Sequence, residues 1–131
     1  MRKILFVEDD ANIVEIFRES LQRAGFEVLL AGDGIAAMRA LHQARPDLIL
    51  LDLLMPKFNG VDVLKFIRSS PTLTQAKVII FSNVARMADI ALEAEKIGAD
   101  AFLPKLTCTP EQLVNAINTL LCGGNAGGEL Q

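Results

Sequence analysis

Residues 47–56, Asp-Leu-Ile-Leu-Leu-Asp-Leu-Leu-Met-Pro, decide the fold of this chain. The aliphatic run 48–51 is too short for a helix and has no polar alternation, which predicts a strand buried on both faces, as in a parallel sheet. This strand ends on Asp52. In an open α/β sheet, ligands bind just beyond the carboxyl ends of the strands. The sequence therefore places Asp52 at the edge of the sheet where such a fold carries out its chemistry.

The rest of the chain alternates short apolar strands with amphipathic helices. The predicted strands are 4–7, 26–31, 48–51, 78–81 and 100–103, and the predicted helices are about 13–24, 34–45, 61–68, 86–96 and 110–121. Five β-α units imply right-handed crossovers and a parallel sheet that is covered on both faces. We expect a doubly wound α/β fold of the flavodoxin type, with strand order 2-1-3-4-5 and five flanking helices. Residues 1–121 form the predicted domain, and residues 122–131 a flexible tail or the start of a linker.

The composition is that of a soluble α/β domain, with 131 residues, 51% of them hydrophobic and 22% charged. The net charge of −3 and the lack of a Lys/Arg cluster in the sequence disfavour direct contact with nucleic acid. No apolar run approaches the ~20 residues that span a bilayer, so we expect no membrane contact. Cys108 and Cys122 lack the spacing of a metal site or a disulfide framework. Free thiols fit a reducing cytoplasm, which is the predicted location.

Polar side chains follow four of the five predicted strands. Glu8 and Asp9 follow the first strand, Asp52 the third, Ser82 the fourth and Lys105 the fifth. Three carboxylates in one crevice repel each other, so one would take up a proton unless a cation joined them. A ligand set of oxygen atoms without His or Cys suits a hard divalent ion, and Mg²⁺ is the best match.

A lysine and a hydroxyl beside such a cation complete a site for a phosphoryl group. One carboxylate can then act as the nucleophile and form an aspartyl phosphate. Asp52 is the candidate because it ends the central strand. Asp10 is left out of the site, since it more naturally begins the first helix, where negative charge is favourable. His42, the only histidine, is expected to be an exposed helical residue and not a ligand.

Together, these motifs resemble the receiver domain of the bacterial two-component response regulators, in particular the single-domain, chemotaxis-like members. The resemblance covers residues 2 to about 121. The matching motifs are residues 4–10, 46–56 with Gly60, 79–82, and 98–102 with Lys105.

The resemblance implies a role for each of these residues. Asp52 would be the phosphoacceptor, and Asp9, Asp52 and the backbone carbonyl of Leu54 would hold Mg²⁺, with Glu8 acting through a metal-bound water. Two further side chains would contact the phosphoryl group, Ser82 by a hydrogen bond and Lys105 by an ion pair. Phe102 would be the aromatic residue that turns inward when Ser82 moves.

The chain departs from the family pattern at several positions. Leu106 follows Lys105 where the family usually has proline after a cis bond. Because a cis bond before a non-proline residue costs roughly 3–4 kcal/mol, we expect this peptide to be trans. Asn83 replaces the small residue that is usual after the hydroxyl position. Leu54 and Val84 cannot orient an attacking water, which predicts slow spontaneous loss of the phosphoryl group.

Three functions are compatible with this pattern. The first is a signalling switch that is phosphorylated by a sensor histidine kinase or a histidine phosphotransfer protein, and that catalyses only its own modification. The second is a pseudo-receiver that keeps the fold without phosphorylation, an alternative left open by Leu106 and Asn83. The third is an enzyme or flavin carrier of the same architecture. A phosphatase would need an acid at the position of Leu54, and the acids at 8–10 would repel a flavin phosphate.

The predicted partner surface consists of the helices at 86–96 and 111–121, which would flank Phe102 and contact a downstream protein effector. These helices are Ala-rich and mostly uncharged. We therefore expect a monomer or a weak homodimer. The chain is either a single-domain regulator that acts by protein contact or part of a longer protein.

Overall fold

The computed structural model describes residues 2–55, 58–83 and 88–123. The strands are β1 Lys3–Val7, β2 Glu27–Ala31, β3 Leu48–Leu51, β4 Leu54–Met55, β5 Phe58–Asn59, β6 Lys77–Ser82 and β7 Ala101–Pro104. The helices are α1 Ala11–Arg23, α2 Gly34–Ala44, α3 Gly60–Ser69, α4 Ala88–Ile97 and α5 Pro110–Leu121. The alternation of strands and helices predicted from the sequence is confirmed.

The main sheet is parallel and has the order β2-β1-β3-β6-β7. In the numbering of the five main strands this is the predicted order 2-1-3-4-5. The short strands β4 and β5 form a separate antiparallel pair in which Leu54 lies opposite Asn59. The strands predicted from the sequence do not include this pair. This pair lies directly after Asp52 and shapes the chain between β3 and α3.

The central strand β3 is fully buried, as its apolar run predicts, because helices cover both faces of the sheet. Its residues alternate between two hydrophobic cores. Leu48 and Leu50 join the core that contains Phe17 of α1, whereas Ile49 and Leu51 join the core that contains Leu64 of α3. Packing against both cores therefore fixes the position of β3 and of its carboxyl end.

Side-chain caps begin most of the helices. Asp10, Asp33, Asn59 and Thr109 accept hydrogen bonds from the first backbone N–H groups of α1, α2, α3 and α5. The prediction that Asp10 begins the first helix is confirmed. These caps satisfy backbone groups that would otherwise be unpaired at the helix ends.

Several predicted features lie outside the described residues: Val84, the start of the fourth helix near residue 86, and the tail beyond Gly123. The described helix α4 begins at Ala88. Among the helices that the structure describes, none combines the length and the hydropathy needed to cross a membrane.

Candidate functional site

The carboxylate of Asp52 lies at the centre of the site and is almost completely buried, with 2% of the residue exposed. Its Oδ1 atom accepts two hydrogen bonds, from the Ser82 hydroxyl at 2.6 Å and from the backbone N–H of Leu54 at 3.0 Å. Its Oδ2 atom accepts a hydrogen bond from Lys105 Nζ at 2.8 Å. Strands β3, β6 and β7 therefore each deliver one functional side chain to the same point, as their parallel arrangement predicts.

Lys105 joins two of the three acids. Its Nζ atom lies 3.1 Å from Glu8 Oε1 and 2.8 Å from Asp52 Oδ2. Burial by itself would lower the pKa of Lys105, but the hydrogen bonds and charges of Asp52 and Glu8 together outweigh it and raise that pKa above its usual value. The Lys105–Leu106 peptide is trans, as predicted. The lysine reaches both acids from this trans backbone.

Glu8, Asp9 and Asp52 form a cluster in which each residue offers a carboxylate oxygen, all within 4.8 Å of one another. Glu8 is buried, whereas Asp9 is exposed to solvent. Burial raises the pKa of Glu8, although the Asp10 N–H and Lys105 partly oppose this shift. Asp10 does not belong to the cluster. Its carboxylate faces the start of α1 instead.

The charges of the site fit a divalent cation. Three carboxylates and one ammonium group leave a formal charge of −2 around Asp52. Oxygen donors of this kind are the ligands that Mg²⁺ prefers. The structure thus brings together the three side chains that were predicted to hold the metal, those of Glu8, Asp9 and Asp52. The backbone carbonyl of Leu54 stays a prediction as a metal ligand.

Gly60 supports the site from behind. A Cβ atom at this position would lie 2.6 Å from Leu53 Cα and 2.7 Å from the carbonyl oxygen of Asp52. Gly60 N–H also donates to the Leu53 carbonyl at 3.3 Å. The start of α3 can approach the backbone after β3 this closely only because residue 60 has no side chain. The sequence motif contained Gly60 but did not show what it contacts.

Phe102 lies on the edge strand β7, opposite Ile80 of β6, and is partly buried against one hydrophobic core. It is therefore two residues from Ser82 in the register of the sheet. Its predicted movement stays a prediction. Asn83 is also partly buried. His42 is exposed, as expected, and its ring lies 5.4 Å from that of Phe66.

Residues 4–118 match the family model of the response regulator receiver domain. The match spans most of the chain and includes every side chain of the site described above. The chain belongs to the response regulator receiver domain family. The recognition made from sequence motifs, and the fold class with it, is confirmed.

Individual relatives agree with this assignment. The chain is 39% identical over 121 residues to the transcriptional regulatory protein CpxR of Escherichia coli K12, covering 92% of this chain and 50% of that protein. The chain spans about half the length of the curated relatives it matches.

Two solved structures have the same architecture. The chemotaxis response regulator CheY4 of Vibrio cholerae superposes with a TM-score of 0.83 at 28% identity, covering 92% of this chain and 98% of that one. The Mn²⁺-bound form of response regulator Rcp1 superposes with a TM-score of 0.77 at 28% identity, covering 91% and 93%.

Proposed function

We propose that this protein is a phosphoacceptor switch in which Asp52 receives a phosphoryl group from a histidine residue of a sensor kinase or a histidine phosphotransfer protein. The observation that carries the proposal is the environment of the Asp52 carboxylate. It is buried, it accepts hydrogen bonds from Ser82, Leu54 and Lys105, and it lies in a cluster with Glu8 and Asp9. Two further acids so close to a buried carboxylate are unfavourable in a purely structural arrangement, because the like charges repel each other.

The transfer is a nucleophilic substitution at phosphorus. An Asp52 oxygen forms the new O–P bond while the bond between phosphorus and the histidine nitrogen breaks. The histidine nitrogen keeps the bonding electron pair, and a proton taken up from solvent lets the histidine leave as a neutral imidazole. Lys105 and the Ser82 hydroxyl lie within hydrogen-bond distance of Asp52, and after the transfer they would stabilise the phosphoryl oxygens.

Glu8, Asp9, Asp52 and the Leu54 carbonyl are the groups that would hold Mg²⁺. The bound ion would neutralise charge on the phosphoryl oxygens and so lower the barrier to transfer. The formal charge of −2 on Glu8, Asp9, Asp52 and Lys105 supports this assignment. A solved structure of the relative Rcp1 is of its Mn²⁺-bound form, which supports it as well. Three carboxylates and one divalent ion would leave a formal charge of −1. The ammonium group of Lys105, which contacts Glu8 and Asp52, would balance it.

The switch itself would use Ser82 and β7. The Ser82 hydroxyl donates to Asp52 in this structure, and after phosphorylation it would donate to a phosphoryl oxygen instead. Ser82 pairs with Pro104 across the ladder between β6 and β7, two positions beyond Phe102. Movement at Ser82 would therefore change the face around Phe102. A downstream protein effector would read this change.

The proposed function does not include catalysis on any other substrate. The chain would catalyse only its own phosphorylation and a slow loss of the phosphoryl group. Because Leu54 is 47% exposed and apolar, its side chain offers no group that could orient an attacking water near Asp52.

Intact mass measured after incubation with acetyl phosphate and Mg²⁺ tests the proposal. We expect a mass increase of one phosphoryl group in the wild-type protein and none in Asp52→Asn. The matched control is Asp10→Asn, since asparagine also caps helices and Asp10 lies outside the cluster. It should be phosphorylated like the wild type. Asp9→Asn should be phosphorylated more slowly, and the defect should shrink at high Mg²⁺.

Failure of the wild-type protein to gain mass would contradict the proposal and favour the pseudo-receiver alternative. The conclusion holds if a second small phosphodonor, phosphoramidate, also adds no mass and the far-ultraviolet circular dichroism spectrum shows that the chain is folded. Equal modification of Asp52→Asn would contradict the assignment of the acceptor residue.

A further inference from the structure

A pocket lies at the edge of the sheet opposite to the acidic site, where β1, β3 and β6 begin. Its volume is about 320 Å³. We call it the basic pocket because Arg2, Arg45 and Lys77 line it together with the single carboxylate of Asp47. Apolar side chains at the ends of α2 and α5, including Leu121, form part of its wall. The pocket brings together residues from four distant parts of the chain.

The charges in the basic pocket are not balanced. The Asp47 Oδ2 atom accepts the Lys3 N–H at 2.7 Å, which is a backbone group without charge. Within residues 2–55, 58–83 and 88–123, no salt bridge involves Arg2, Arg45 or Lys77. Three cations and one anion therefore leave a formal charge of +2 in a concave site, on a chain whose net charge is −3. Such a site attracts anions.

Arg45 has a backbone conformation that glycine would adopt more easily. It ends α2 with φ of 47°, in the left-handed region. A side chain in this conformation costs free energy, and helices usually end with glycine there. Arginine at this position thus reduces the stability of the fold. Residues in strained conformations cluster at functional sites, and Arg45 combines such a conformation with a place in the lining of the basic pocket.

A hydrogen bond to the end of α5 fixes the Arg2 side chain at the wall of the basic pocket. Its NH1 atom donates to the Leu121 carbonyl at 3.0 Å, at the end of α5. A guanidinium group carries five N–H donors, and among the residues that the structure describes that of Arg2 makes no hydrogen bond apart from the one to Leu121, so most of the Arg2 donors stay available there. The planar fork of an arginine matches two oxygens of a phosphate group, and lysine adds a point charge.

We propose that the basic pocket binds a small molecule that carries a phosphate group. The volume of about 320 Å³ falls within the range of small-molecule sites. The pocket is separate from the acidic site, since Asp47 and Asp52 flank opposite ends of β3, about 16 Å apart at 3.3 Å per residue. The proposal does not depend on phosphorylation of Asp52.

Titration of the ¹⁵N-labelled 131-residue chain, followed by NMR, tests the proposal. EDTA is present throughout, so that no divalent ion occupies the acidic site. The probes are inorganic phosphate and a 5′-mononucleotide, each in buffer of matched ionic strength. We expect saturable shifts of the amides of Arg45, Asp47 and Lys77 with at least one probe. If the nucleotide binds more tightly than phosphate, the apolar wall contacts the part of the ligand beyond its phosphate group. If the two bind equally, the pocket recognises the phosphate group alone.

Three variants separate binding from folding. Arg45→Gly and Lys77→Gln should each weaken the binding about fivefold to tenfold, as expected for loss of one charged contact to phosphate. Arg45→Gly should also keep or raise the melting temperature, because glycine relieves the left-handed conformation. The matched control is Lys96→Gln, an exposed cation on α4. It should bind like the wild type.

Two results would overturn the proposal. One is the lack of saturable shifts at the pocket amides with either probe. The other is equal weakening by Lys96→Gln and Lys77→Gln, which would show attraction by net charge alone. Because Arg45→Gly is expected to be at least as stable as the wild type, loss of binding in that variant cannot be attributed to unfolding.

Discussion

Arg68 holds three segments together at the edge of the sheet where β6 and β7 begin, and we expect its replacement to destabilise the fold. The guanidinium group donates to the carbonyl of Gly98 at 2.9 Å, to the carbonyl of Ala76 at 2.7 Å and to Asp100 Oδ2 at 2.8 Å. The same Asp100 oxygen accepts the N–H of Val78 at 2.8 Å. One side chain of α3 thus fixes the end of α4 and the starts of two strands.

The cost of losing this group follows from its contacts. A fourth hydrogen bond from Arg68, to the Thr74 carbonyl, is longer at 3.3 Å. Each hydrogen bond from a charged donor contributes about 1.5–3 kcal/mol, so the three shorter bonds alone give about 4.5 kcal/mol at the low end. The side chains of Arg68 and Asp100 are 18% and 26% exposed, so water replaces part of what is lost. We therefore expect Arg68→Met to reduce the free energy of unfolding by about 3 kcal/mol. For a domain of this size that corresponds to a fall in Tm of about 10 °C.

Urea denaturation followed by far-ultraviolet circular dichroism measures this change, because the chain has no Trp or Tyr for fluorescence. The slope of the unfolding free energy against urea should not change. The matched control is Lys65→Met on the same helix. Lys65 lies 3.8 Å from Glu93, and both side chains are more than half exposed. Its loss should cost about 0.5 kcal/mol or less.

A loss below about 1 kcal/mol in Arg68→Met would refute this reasoning, as would an equal loss in Lys65→Met. Arg68→Lys keeps the charge but not the planar fork, so we expect roughly half the effect. The rate of Asp52 phosphorylation in Arg68→Lys should match the wild type under folding conditions. Arg68 contacts the beginning of β7, whereas Lys105 follows its end.

Three further predictions concern the acidic site. Gly60→Ala should slow phosphorylation of Asp52 by acetyl phosphate and reduce stability by about 1–3 kcal/mol, because the new Cβ overlaps the backbone after β3; Gly32→Ala, which meets no atom within 4 Å, is the control and should change neither property. The pKa of Lys105 is raised in the folded protein. The ion pairs of Lys105 therefore contribute their full share to the free energy of unfolding below the unfolded pKa of about 10.4. This contribution is lost as the pH rises through the pKa of Lys105 in the folded protein. The difference in unfolding free energy between wild type and Lys105→Gln should therefore be constant between about pH 7 and about pH 9 and shrink above about pH 10.5; a difference that stays constant at higher pH would contradict the ion pairs. Leu54→Asn should accelerate loss of the phosphoryl group from Asp52, measured by intact mass over time, because the amide can orient an attacking water. An unchanged decay would contradict this role of residue 54.

Most of the acidic site could be predicted from the sequence, for a physical reason. Apolar runs such as 48–51 mark buried parallel strands, and the carboxyl ends of parallel strands meet at one edge of the sheet. Residues that follow the runs are therefore close in space even when they are far apart in the chain. That rule alone brings Glu8, Asp52 and Lys105 together, and the structure confirms their contact.

Other features are decided only by tertiary structure. The position of Gly60 against the carbonyl of Asp52 depends on the distance between α3 and the end of β3, which no periodicity encodes. Arg68 carries no local signal, because its acceptors belong to three other segments. The sequence contains no basic cluster, yet Arg2, Arg45 and Lys77 share one pocket.

The features that the sequence predicts depend on neighbouring residues in the chain, whereas the others depend on residues that are far apart in the chain. Hydrophobic periodicity and strand-end chemistry are local properties, and a parallel sheet converts them into position by a general rule. The fit of a helix against a strand, or of a guanidinium group among backbone carbonyls, depends on side chains from the whole core packing at once. Local patterns in the sequence are therefore enough to predict the sheet and the acids at its edge. Packing in three dimensions decided what supports that edge and what assembles at the opposite one.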